Sequence, residues 1–179
     1  MTNEQELLEA TREAMANELR QALGMIRHCL SQLQDDELWW RPDPSLNSIA
    51  NLMLHLSGNV RQWIIAGLGG ATDNRERAKE FSERGPVSKV VLLQTLQQTT
   101  DEALDVIRNA SRQNLLAQRT IQGFDVNGIT AVMHSVTHFR GHVQEIVHLT
   151  RRQRGDYYRF DFVPTEAPSK SNVYWDEVT

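Results

Sequence analysis

The sequence holds one cysteine, Cys29, in 179 residues. An intramolecular disulfide is therefore excluded, and such sparing use fits a reducing compartment. No apolar run approaches the roughly 20 residues that a membrane-spanning helix needs. Nor is there a lysine–arginine cluster: 19 basic against 23 acidic side chains leave a net charge of −4, which argues against nucleic acid as a partner. The basic run Arg151-Arg152-Gln153-Arg154 reads instead as cations closing a helix C-terminus. The stretch MTNEQELLEA at the start is acidic and has no apolar core of an export signal. These absences predict a cytoplasmic protein with neither a nucleic-acid nor a membrane partner. No internal repeat and no credible strand pattern is present.

What remains is an ordinary globular composition, 40% hydrophobic and 23% charged, enough for one domain with a proper core. Apolar residues Leu8, Met15, Leu19, Ala22, Ile26, Leu30 and Leu33 recur at threes and fours, the period of a helix with one buried face. Thr2 or Asn3 can cap it, with Glu4, Glu6 and Glu9 at its positive end. A second helix follows Asn47 or Ser48, burying Ile49, Met53, Leu56, Val60, Trp63 and Ile64, and stops by Gly67-Leu68-Gly69-Gly70. Leu54 and Ile65 fall opposite that stripe, where a monomer would expose them, and this predicts a homodimer. Residues 71–86 are polar and without apolar periodicity, a connection. Ser88 caps a third helix through Leu92, Leu96, Thr99, Ala103 and Ile107. A polar link over 111–125 leads to the fourth, Asn127 to Arg152, with the stripe Ile129, Val132, Met133, Val136, Val143, Ile146 and Val147.

Four amphipathic helices predict an all-α fold, a four-helix bundle. The link between the second and third exceeds the usual 2–8 residues of bundle connections and is long enough to cross the bundle end. The bundle domain is expected over residues 1–154. Residues 155–179, aromatic-rich with two prolines, are expected to form an extended tail packing on the bundle or on a dimer.

The fourth helix carries His134, His138 and His142 at intervals of four. Neighbours four apart sit roughly 40° round and about 6 Å along a helix. His134 with His138, or His138 with His142, can thus share an ion, whereas the outer two lie about 12 Å apart along the axis. On a helical wheel His142 lies beside Ile146 at the edge of the apolar stripe, and His134 lies nearly opposite, facing water. The His138/His142 pair therefore faces a groove. Catalytic zinc sites commonly take three protein ligands and leave one position open. On the second helix His55 lies beside Leu52 at the border of its own apolar face, in a polar stripe with Asn51, Asn59 and Gln62. Gly58, near this stripe, leaves room for another group to approach.

The runs SLNSIANLMLHLSGNVRQWI and THFRGHVQEIVHL, with ELWWRP before the first, resemble the DinB/YfiT-like superfamily of four-helix-bundle metalloproteins, in an uncharacterised branch. The resemblance implies an up-down-down-up bundle, usually dimeric. It also implies that one histidine of helix two and an H-x-x-x-H pair of helix four bind a divalent metal, zinc or nickel. Residue by residue these are His55, His138 and His142. Many relatives follow the last ligand with one residue and then Gly-Gln, whereas this chain reads Val143-Gln144-Glu145, so substrate chemistry does not carry over. Glu145, three residues past His142, can orient a ligand or act as a base. Asn59, one turn after His55, can reach the same pocket. Trp39 and Trp40 stand at a loop that either roofs the site or packs. Cys29 reads as a small buried hydrophobe, and His28 and His148 have no nameable partner.

Three neutral imidazoles leave an ion its full charge, able to lower the pKa of a bound water or thiol or to polarise a carbonyl. The resemblance implies two precedents, transfer of a low-molecular-weight thiol to an electrophile and thiol-linked isomerisation; metal-assisted hydrolysis is physically compatible too. The expected partner is a small-molecule substrate, a low-molecular-weight thiol being one candidate, and the sequence does not choose among these reactions. The competing reading is a non-catalytic stress-response or binding module that works through its bundle and dimer surface.

Overall fold

Thr2 starts the first helix: its hydroxyl accepts from the Gln5 amide while the Gln5 side chain accepts from the Thr2 amide, and α1 runs Asn3–Leu30. The computed structural model describes residues 2–161. Ser48 and Asn51 repeat the reciprocal cap at α2 (Ile49–Val60). Ser88 caps α4 (Lys89–Asn109), and Asn127 caps α6 (Gly128–Arg154) through the Thr130 amide at 2.9 Å. Each cap satisfies amides that the first helical turn leaves without carbonyl partners. Helix α1 packs on α4 and α6, and α2 packs on the same two. The fold is thus mostly helical, around one core whose centre includes Leu19, Ile26, Leu56, Leu96, Phe139 and Ile146, all fully buried. No described helix is long and apolar enough to cross a membrane.

Both polar links hold more structure than their lack of periodicity suggests. The first contains the short helix α3 (Arg77–Ser82). The second contains α5 (Arg112–Leu116) and an antiparallel hairpin, β1 (Gln118–Ile121) and β2 (Phe124–Asn127), in the register Gln118↔Asn127 and Ile121↔Phe124. This corrects the expectation of no strands. The hairpin turn is Gln122-Gly123, both at positive φ (52° and 82°), the two-residue geometry that glycine eases and that matches the twist of the flanking strands. Only Ile121 of the eight strand residues is buried, on Trp63 and Ala131, so alternation of apolar residues could not reveal the pair.

A second correction concerns α2. Beyond Val60 the chain winds as a π-helix over Arg61–Ala66, with the Gly67 amide on the Gln62 carbonyl and the Gly69 amide on the Ile64 carbonyl, each at 2.9 Å. Five-residue bonding places more residues in each turn than an α-helix does and rotates the later side chains about the axis. Ile65, expected outside, is 1% exposed, and Leu54 is half-buried against the core. Neither side chain is thus left on the surface for a second copy to cover, as the expected homodimer face required. On α6, Met133 is exposed and Phe139 is fully buried instead.

After α6 a 3₁₀ turn (Gly155–Tyr157) leads to a stretch that lies along the end of α1. Gln32 exchanges two hydrogen bonds with the Arg159 backbone, at 2.8 and 3.1 Å, and the Arg159 carbonyl lies 2.6 Å from His28 Nε2. His28 thus has partners that its sequence position did not suggest. Cys29 beside it is buried, which pushes its thiol pKa up. The remainder of the expected tail, residues 162–179, lies outside the described residues.

Candidate metal centre

Helix α2 buries Leu52 and Leu56 completely, and His55 between them turns into the interior at 5% exposure. Across from it α6 presents His138 and His142, both half-buried. His55 Nε2 lies 2.9 Å from His138 Nε2. The ring of His142 sits 4.5 Å from that of His138 and 5.1 Å from that of His55, centre to centre, edge-on to both. One ligand atom from each of the three histidines falls within 4.8 Å of the others, so the cluster can hold a metal ion. Two nitrogens 2.9 Å apart can both reach one zinc ion, which imidazole binds at about 2.0–2.1 Å.

The outer faces of two rings are held by carboxylates. Glu80 of α3 has Oε2 2.8 Å from His55 Nδ1, and Glu145 has Oε2 2.9 Å from His142 Nδ1. A carboxylate has no proton to give, so each Nδ1 is the donor, and a neutral ring then keeps its lone pair on Nε2. That is the protonation a metal ligand needs. Burial, reinforced by the neighbouring His142, His55, His134 and Arg75, pushes the His138 pKa down to about 4. His138 is therefore neutral near pH 7.

Glu80 is 8% exposed and does not stand alone. Arg75 reaches it twice, Nε to Oε1 at 2.6 Å and Nη2 to Oε2 at 2.8 Å, with the Arg75 side chain 3% exposed. Burial raises the Glu80 pKa, but the hydrogen bonds from Arg75 and His55, with the Arg75 charge, outweigh it and hold the carboxyl below its ordinary range. Phe81, next in the chain, packs on the His55 ring at 4.8 Å. None of Arg75, Glu80 and Phe81 is legible from periodicity; the one signal was Gly58, placed where another group can approach. The approaching group is this pair: a Cβ on Gly58 would lie 2.0 Å from Glu80 Oε1 and 2.9 Å from Arg75 Nε.

Similarity to known proteins extends over most of this architecture. Residues 5–166 match the family described as "Protein of unknown function (DUF1572)". The chain belongs to that family. Among solved structures, this DUF1572 protein is similar in fold to one described as the "Crystal structure of the conserved protein of locus from Enterococcus faecalis", with a TM-score of 0.66 at 14% identity. The likeness covers 78% of this chain and 94% of the other. No curated protein matches.

The other residues singled out in this DUF1572 chain have different roles. Asn59 is buried, and its Oδ1 accepts from Ser135 Oγ at 2.9 Å, a bond that ties α2 to α6. His134 is exposed, as its place on the wheel predicts, yet it stacks on Trp63 at 3.9 Å and lies 5.9 Å from His138, ring centre to ring centre. Trp39 donates from Nε1 to the Val87 carbonyl at 3.1 Å, and Trp40 lies under the Arg152 guanidinium. The first is a hydrogen bond to the residues before α4 and the second a cation–π contact from the end of α6.

Proposed function

We propose that this protein binds one divalent metal ion, zinc or nickel, through His55, His138 and His142, and uses it in chemistry on a small molecule. Transfer of a low-molecular-weight thiol and hydrolysis are the two reactions proposed, on a DinB-like four-helix bundle of up-down-down-up order. The pairing of α1 and of α2 with both α4 and α6 supports that bundle, and the length of the 71–86 link supports the crossing. The observation that carries the function is the convergence of three imidazoles, two of them with Nδ1 engaged by a carboxylate.

Structural zinc sites fill four positions with protein groups, whereas catalytic sites keep one open. Among the described residues this cluster offers three, and Glu80 lies on the Nδ1 side of His55, away from the shared centre. A divalent ion there supplies Lewis acidity, lowering the pKa of a water or thiol that reaches it. The chain's own part is to aim the three rings at one point and to shield them partly from water.

Chelation separates a reactive site from a structural one. The helical core is extensive, so the fold does not depend on a metal cross-link as a zinc finger does. Chelated protein should keep its helical circular dichroism at 25 °C and melt lower than the loaded form, because ligand binding to the native state adds stability by mass action. Small thiols or azide should shift the absorption spectrum of cobalt-substituted protein. Outright unfolding on chelation, or a cobalt spectrum indifferent to every added ligand, would make the site structural and remove the enzyme reading.

A further inference from the structure

We infer that Glu80 is a positioning residue for His55, and that Arg75, Gly58 and Asn51 serve to keep it in place. The inference rests on the metal reading above and goes beyond it, because it assigns a role to a segment that supplies no ligand.

A buried ion pair is costly to desolvate, and apolar side chains of similar volume commonly stabilise a fold as well or better. Joining α3 to α2 therefore does not by itself account for the pair. Its surroundings point to a more specific use. Asn51, one turn before His55, donates from Nδ2 to the Glu80 carbonyl at 2.8 Å and to the Glu83 carbonyl at 3.1 Å. Gly58, three residues after His55, has no side chain where the carboxylate and guanidinium press against α2. Arg75 Nη1 bonds Gln62 Oε1 at 2.9 Å, so the guanidinium is fixed from a second side. One face of α2 thus carries both the histidine and the means of holding the group that orients it.

A neutral imidazole has one N–H. If His55 carried it on Nε2, it would point at His138 Nε2, 2.9 Å away, so His55 would offer an ion no lone pair there and the bond would tie up that of His138. Glu80, accepting from Nδ1–H at 2.8 Å, closes that arrangement to His55, with Arg75 Nη2 3.2 Å from the same nitrogen and bonded to the same carboxylate oxygen at 2.8 Å. Glu145 makes the equivalent contact to His142, but its side chain is 44% exposed against 9% for Glu80, so water competes for it.

The test is a zinc competition titration of tag-free protein, with chelator as competitor, on wild type, Glu80→Gln, Glu80→Asp and Glu145→Gln. Removing an outer-shell partner of a ligating histidine typically costs about 10–100-fold in metal affinity. Glu80→Gln should show a loss in that range, and Glu145→Gln a clearly smaller one. Glu80→Asp keeps the charge beside Arg75 while withdrawing the carboxylate by one methylene, so it should also bind more weakly. Nitrogen-15 NMR of the metal-free protein should find His55 protonated at Nδ1 in wild type and as mixed tautomers in Glu80→Gln. Wild-type zinc affinity in both Glu80 variants, even with a lowered melting temperature, would reduce Glu80 to a structural staple and overturn the inference while leaving the metal site standing. Wild type that binds no zinc would sink the metal reading and this inference with it.

Discussion

His138→Ala should abolish stoichiometric metal binding, while His134→Ala should leave one ion per chain. The two residues lie one turn apart on the same helix and look interchangeable by spacing, so the contrast is a sharp one. His138 Nε2 faces His55 Nε2 at 2.9 Å, and its ring lies nearest that of His142. Losing an outer-shell partner alone costs about 10–100-fold in affinity, and losing the middle ligand of three should exceed that, enough to empty the site at micromolar concentrations. His134 instead lies flat on Trp63, 3.9 Å between ring centres. Its replacement removes a stacked pair worth about 0.5–1.5 kcal/mol, visible as a slightly lower melting temperature with metal content unchanged. Metal analysis of both variants reads the difference. Equal loss in the two would mean that the ion sits between a different pair of histidines.

Gly58→Ala should destabilise the protein, against the ordinary trend for helices. In an exposed helix interior the change normally gains about 1 kcal/mol, because alanine loses less backbone entropy. Here the new Cβ would lie 2.0 Å from Glu80 Oε1 and 2.9 Å from Arg75 Nε. A carboxylate can swing aside, but this one can do so only by leaving Arg75 and His55. Disrupting a buried ion pair costs about 3–5 kcal/mol, so the net loss is about 2–4 kcal/mol. For a chain of this size that is a melting-temperature drop of about 5–15 °C. Thermal unfolding of the metal-free variant measures it without interference from binding. A variant as stable as wild type, or more so, would show that the pair is held loosely and that Gly58 is not its cradle.

Features with a period were legible in the sequence, and features without one were not. The long helices repeat their buried residues at threes and fours, and their caps, Thr2, Ser48, Ser88 and Asn127, are residues of capping type that precede each stripe. The three histidines were legible for the same reason, since each position relative to an apolar stripe fixes a direction. Ile65 was misplaced because a π turn carries no distinct sequence pattern and shifts everything after it by a fraction of a turn. The hairpin escaped because its strands are four residues long with one buried residue between them, and because Gln122-Gly123 is not one of the Asn-Gly or Asp-Gly pairs that mark such turns. Glu80 and Arg75 escaped for a different reason. They sit in a polar segment, and Glu80 meets its histidine 25 residues away in the chain. Only the gap left for them, at Gly58, was written in a periodic element.

His55, His138 and His142 should share one ion. Crystals of tag-free protein loaded with zinc, with diffraction recorded on both sides of the zinc absorption edge, test it most directly. One anomalous peak per chain is expected, within bonding distance of Nε2 of all three histidines, with Glu80 still on His55 Nδ1. A peak elsewhere on the chain, one that excludes His55, or a fully loaded solution whose crystals show no peak at the cluster would contradict it.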